Sequence, residues 1–202
     1  GYLNALYGYL WQTEQISYQS PLLKVRPIKI KERELSYLTA DQCQELLDIA
    51  RQSQNPCLYL IVRICLQTGA RWSEAEKLTL SQVGNSRLTF IDTKSGKNRT
   101  VPITQKLEQD LRRHARRDYK LFSTSIAAFR RLLKKCSFRL PRGQAAHALR
   151  HSYASHFMMN GGDILTLQRI LGHSSINLTM RYAHLSPDHL LDAVRYRPAV
   201  DE

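Results

Sequence analysis

The longest apolar run in the chain, Leu58 to Leu66, is interrupted by Arg63 and followed at Gly69 by a helix-stopping glycine. A membrane span needs roughly 18 apolar residues, so this run has to find its apolar surroundings inside a protein core. Leu58, Ile61, Val62, Cys65 and Leu66 recur at helical spacing, which predicts a buried helix over about 57–68 that ends at Gly69. With 202 residues and 43% apolar content, the chain can build one sizeable core and a shorter appendage. A soluble, globular fold with no transmembrane segment is expected.

The rest of the pattern supplies elements around that helix. Leu3, Leu6, Tyr7 and Leu10 form a short helical stripe with no second element near it, and the chain starts at Gly1 inside this stripe. The expectation is a fragment whose N-terminal part is missing, with residues 1–35 as the tail of a truncated domain plus a basic linker. Thr39-Ala40-Asp41-Gln42 resembles a capping box, and Leu46, Leu47 and Ala50 give the helix behind it a buried stripe. Arg71 then falls at a helix-to-helix corner. Residues 87–91 and 99–103 have strand-like content and are joined through 92–98, a β-hairpin with Lys94 near its tip. Helices follow over about 104–117, 123–136, 146–160, 163–171, 176–183 and 187–196. The expected fold class is mainly α with one small antiparallel sheet (α+β). Its main domain covers 36–202, with 187–202 as a C-terminal tail.

Charge narrows the partner. Thirty Lys and Arg against 17 Asp and Glu give +13, with basic runs at Lys24 to Arg33, Arg112 to Lys120 and Arg130 to Lys135. An ordinary solvated surface is the alternative, but runs spread along the chain suit a protein that wraps a polyanion. No basic helix carries an aromatic opposite face, so an anionic membrane fits less well. Cys43, Cys57, Cys65 and Cys136 stand at unrelated spacings, which supports no zinc site and fits a reducing cytoplasm without a secretory signal.

Six residues can carry chemistry together: Arg71, Lys94, His147, Arg150, His173 and Tyr182. His147 and Arg150 are three apart, so on a helix they share a face and can reach one anionic group. Attack on a phosphodiester crowds negative charge onto its non-bridging oxygens, and without a metal that charge has to be met by fixed cationic donors. Arginine suits the task because its planar fork matches phosphate and stays charged. Glu74, three residues after Arg71, can pair with it and hold it in place. Ten tyrosines are present, most of them expected to pack; Tyr153, four residues before Phe157, reads as core. A lone histidine is ordinarily a satisfied ring, and His151, His156, His184 and His189 are read that way.

Apart from the hairpin Lys94, these six residues lie in four ordered boxes: T-G-A-R-W-S-E at Thr68 to Glu74, H-A-L-R-H at His147 to His151, L-G-H at Leu171 to His173, and R-Y-A-H at Arg181 to His184. The boxes resemble, in order and spacing, those of the tyrosine recombinases, most closely the integrases of temperate tailed phages. The resemblance runs from about residue 36 to the C-terminus, and the segment before it is similar to the end of the family's core-binding domain and its linker. It implies the integrase catalytic-domain fold and a site-specific DNA recombinase that cleaves and rejoins strands through a 3′-phosphotyrosyl linkage. Such an enzyme integrates, and also excises, a phage genome at attachment sites, by a transesterification that uses no metal and no cofactor.

In that resemblance Tyr182 is the nucleophile, nine residues after His173 as in the family. Arg71 and Arg150 hold the phosphate, His147 acts as general base or proton shuttle, and His173 donates a hydrogen bond to a phosphate oxygen. Glu74 supports Arg71. Lys94, eight residues before the proline of V-P, is the general acid, with Lys97 as its rival. The implied partners are double-stranded attachment-site DNA, further copies of the chain as a dimer or tetramer, a host DNA-bending protein and an excision factor. The implied location is the cytoplasm of a bacterial host, at the nucleoid. Two other readings fit the same residues. One is a type IB topoisomerase with similar phosphotyrosine chemistry, the other a DNA-binding module in which Tyr182 merely packs.

Overall fold

A computed structural model describes residues 2–18, 20–25, 36–91, 98–115, 120–141 and 143–187. The chain forms two units, Gly1–Glu34 and Leu35–Glu202. The first contains helix α1 (Tyr2–Gln12), none of whose residues is buried. Tyr2, Leu3, Leu6, Tyr9 and Trp11 are all exposed.

The second unit opens at Leu38, which is latched to a distant helix. Its N–H donates to Ser152 Oγ at 2.7 Å and its carbonyl accepts from His156 Nε2 at 2.8 Å. Helix α2 (Ala40–Arg51) follows, started by a reciprocal capping box between Thr39 and Gln42. Helix α3 (Pro56–Thr68) begins with Asn55 capping Cys57 N–H and Pro56 in the first turn, and ends at Gly69 in the left-handed region. It is the centre of the core: Leu58, Leu60, Ile61, Val62, Ile64 and Cys65 are all buried, whereas Leu66 is only partly so. Arg63 does not break this helix. Its guanidinium pairs with Asp110 at 2.5 Å and lies over the Tyr59 ring, so the buried charge is matched.

Helix α4 (Trp72–Glu76) turns the corner after Arg71, and Trp72 stacks on Phe129 at 4.4 Å between ring centroids. A three-stranded antiparallel sheet comes next, β1 (Val83–Gly84), β2 (Arg87–Phe90) and β3 (Arg99–Pro102), in the order β1-β2-β3. The sequence predicted only the hairpin of β2 and β3, because a strand as short as β1 cannot display a period-2 alternation. Helices α5 (Gln105–His114), α6 (Ile126–Leu133), α7 (Ala145–Met159), α8 (Ile164–Leu171) and α9 (Asn177–Met180) complete the described unit, followed by a 3₁₀ turn at Ala183–Leu185. The single helix expected over 176–183 is thus two short pieces with Tyr182 between them. The expected hairpin tip and the helix over 187–196 lie outside the described residues, except for the exposed Pro187. Among the described residues no helix is long and apolar enough to cross a membrane.

Helix α7 packs on α3, and α8 packs on α7 and β3. Gly69 marks the junction: at φ +64° a Cβ there would stand 2.6 Å from Tyr153 Cδ1 and 2.7 Å from Leu171 Cδ2. Gly69→Ala is expected to destabilise the domain by about 2–3 kcal/mol, from left-handed strain plus overpacking. Thermal denaturation checks this, and an unchanged midpoint would show that the junction yields freely.

Candidate active site

Arg150 is the buried hub of the site. Lying in the middle of α7, it donates to the Gly69 carbonyl at 2.9 Å and to the Leu171 carbonyl at 2.7 Å. Both oxygens belong to helix C-termini, where the last carbonyls lack intrahelical partners and the dipole favours a cation. One side chain therefore joins the ends of α3 and α8. Burial, and then the charges of Arg71 and Arg99, push its pKa down to about 9, which leaves it a cation at neutral pH.

Arg71, immediately before α4, is partly exposed. Its Nη1 donates to Glu74 Oε1 at 2.8 Å and its backbone N–H to Glu74 Oε2 at 2.8 Å. Glu74 also receives Arg99, a residue not singled out from sequence, whose Nη1 and Nη2 reach Oε1 and Oε2 at 3.1 and 2.6 Å. Burial works against the Glu74 charge, but the Arg99 fork and the Arg71 donors together outweigh it and hold the carboxyl down to about 2. A signal for Arg99 existed: on β3 it shares a face with Val101, so strand periodicity alone turns it inward.

Tyr182 is 2% exposed and its ring packs among Ala154, Met158, Leu167 and Leu171. Its hydroxyl meets His151 Nδ1 at 2.5 Å. Burial raises the phenol pKa, opposed by Arg150 and Arg181, so the oxygen carries a proton at neutral pH. His151 is held down to about 4 by burial and then by His147, Arg181 and Arg150. A neutral ring with its proton on Nε2 accepts the phenol hydrogen bond at Nδ1.

From sequence, His151 is set aside as an ordinary histidine and the place beside the tyrosine goes to His147. The structure puts His151 at the hydroxyl, and His147 one turn earlier on α7, exposed, with ring centroids 6.4 Å apart. The missed signal is the i, i+4 spacing of the two histidines, which places both on one helix face.

His173 follows Gly172, which caps α8 at φ +66°. Its Nδ1 lies 2.9 Å from Thr179 Oγ1. With the hydroxyl donating to Nδ1, the ring proton sits on Nε2 and remains a donor. Burial and then Arg150, Arg71, Arg181 and Arg99 hold His173 down to about 4. The structure therefore brings Arg71, Glu74, His147, Arg150, His173 and Tyr182 around one locus, together with Arg99, His151 and Arg181. Lys94 and Lys97 lie outside the described residues.

Two histidines whose folded pKa values, about 4, lie below the ordinary 6.5 tie stability to pH. Between those values the unfolded chain binds protons that the folded site refuses, so stability falls as pH drops from about 6.5 towards 4. Thermal melts across this interval are expected to show the decline, and the His151→Asn/His173→Asn double variant to flatten it. An equal slope in both proteins would place the titration elsewhere.

Several known proteins are similar to this chain. The family model described as "Phage integrase family" matches residues 36–189. The integrase of Escherichia phage 186 is 47% identical over 98% of this chain and 59% of its own length, and that of Haemophilus phage HP1 is 49% identical over 98% and 58%. The chain thus spans just under three fifths of the length of these relatives. Among solved structures, the catalytic domain of bacteriophage HP1 integrase superposes with a TM-score of 0.77 at 52% identity, covering 82% of this chain and 96% of that domain. With its buried tyrosine, its arginine hub and a family match across the unit that holds them, the chain belongs to the phage integrase family.

Proposed function

We propose that this chain is the catalytic part of a site-specific DNA recombinase that breaks and rejoins DNA strands through a covalent bond between Tyr182 and a 3′ phosphate. The observation that carries the reading is the Tyr182 hydroxyl held at 2.5 Å by a neutral histidine, in the field of Arg150 and Arg181. A phenol that is protonated at rest becomes a nucleophile only where an acceptor takes its proton and cations meet the charge that develops. Support for DNA as the substrate comes from the +13 net charge. It comes also from proteins of the same fold, the XerH site-specific recombinase bound to its palindromic difH substrate and the Tn1549 transposon integrase in complex with circular intermediate DNA.

Each residue then has a task. Arg71 and Arg150 direct guanidinium donors at the non-bridging oxygens, and His173 adds its Nε2–H. Tyr182 attacks phosphorus, its proton passing to His151, and the exposed His147 connects that ring to solvent. The 5′ oxygen departs with a proton from Lys94. The phosphotyrosyl ester preserves the bond energy, so a 5′-hydroxyl from another strand can reverse the step and complete an exchange, with no metal or cofactor required by the scheme. Integration and excision of a phage genome follow from the same chemistry run in two directions. The chain works as a dimer or tetramer on DNA. A host DNA-bending protein and an excision factor are the auxiliary partners, in the cytoplasm of a bacterial host.

A nicked suicide duplex carrying the attachment-site core tests the reading. The wild-type chain is expected to trap a covalent adduct, and Tyr182→Phe to bind the duplex without forming one. An undiminished adduct in that variant would remove Tyr182 as nucleophile. His151→Gln is expected to slow single-turnover adduct formation by about 100-fold, the usual range for loss of a proton acceptor. A wild-type rate would return the role to His147.

A further inference from the structure

Glu74 presents an electrostatic problem. A carboxylate paired with Arg71 alone would cancel the charge that this guanidinium must offer to a phosphate. Alignment and availability therefore conflict, and a second cation on the same carboxylate resolves the conflict. Arg99 meets that need: its fork takes both Glu74 oxygens, at 3.1 and 2.6 Å, while the same oxygens receive the Arg71 side chain and backbone.

Its remaining contacts reach the other half of the site. Arg99 Nε donates to the Ile170 carbonyl at 2.8 Å, next to the Leu171 carbonyl that Arg150 holds. Two arginines thus clamp successive carbonyls at the end of α8, immediately before Gly172 and His173. The Arg99 stem fills the space over Gly172, where a Cβ would come within 3.0 Å of its Cδ, and its guanidinium lies over Phe90 at 4.6 Å. Burial of such a pair is a poor source of stability compared with an apolar side chain of similar size. An apolar residue opposite Phe90 would serve the sheet as well, but it could not hold Glu74 or Ile170.

Resting on the recombinase reading above, we propose that Arg99 is a positioning residue for strand cleavage. It neutralises Glu74, so that Glu74 aligns Arg71 without screening it, and it fixes the end of α8 that presents His173.

Charge rescue separates this role from packing. The measurement is single-turnover covalent-adduct formation on a fluorescent nicked suicide duplex carrying the attachment-site core, with duplex affinity and thermal stability measured in parallel. Arg99→Gln leaves Glu74 free to cancel Arg71 and is expected to slow adduct formation by about 100-fold, comparable to loss of one oxyanion donor, with affinity changed by no more than about threefold. Arg99→Gln/Glu74→Gln removes the cancelling charge, while the amide oxygen that replaces the carboxylate still accepts from Arg71. It is expected to recover at least about tenfold of the lost rate. Arg99→Met, which keeps the packing over Phe90 and Gly172, must show the same slowing and the same rescue.

A double variant no faster than Arg99→Gln, or an Arg99→Gln rate within about threefold of wild type, overturns the proposal. Failure of both the Gln and Met variants to fold also overturns it, because Arg99 would then be structural. If the wild-type chain itself forms no adduct, the recombinase reading fails first. An adduct in wild type with no rescue sinks only the role of Arg99.

Discussion

The arrangement of the site depends on one buried guanidinium. Arg150 lies in the middle of α7 and reaches backwards to the end of α3 and forwards to the end of α8, where each helix leaves carbonyl oxygens without partners. A hydrophobic residue there would leave both oxygens unsatisfied in the core. The hub thus satisfies backbone oxygens at two helix ends, and its charge is available to the site.

Gathering Arg71, Arg99 and Arg150 in one partly dry place is unfavourable by itself. Glu74 compensates for only part of it, and the downward pressure on Arg150 and on the two neighbouring histidines comes first from burial and then from the charge left over. A cluster in that condition gains from an incoming anion. Burial, and after it the neighbouring cations, suppresses protonation of His151 and His173, which keeps one ring able to accept a proton and the other able to donate a hydrogen bond. The cations opposed to Tyr182 burial favour phenolate over phenol.

Much of this is legible along the chain, because it is written in local terms. The capping box at Thr39, the glycine stops at Gly69 and Gly172 and the apolar stripe of α3 specify helices through short-range rules, and the four boxes hold their spacing in the sequence itself. Other features needed the third dimension. The strand β1 is too short for any periodicity. Strand periodicity turns Arg99 inward with Val101, but its meeting with Glu74, 25 positions earlier, exists only in the folded chain. His151 looks like one more histidine until the turn after α9 delivers Tyr182 to it.

The amino-acid order alone therefore determined most of the helices, the pairing of β2 with β3 and the residue types gathered at the site, since capping, periodicity and box spacing act over a few residues. Only the tertiary structure decided which histidine meets the tyrosine and which arginine balances Glu74. Those choices depend on contacts between residues separated by 31 and 25 positions. Distances of that kind are set by how α7, α8 and β3 pack, and no local pattern encodes them.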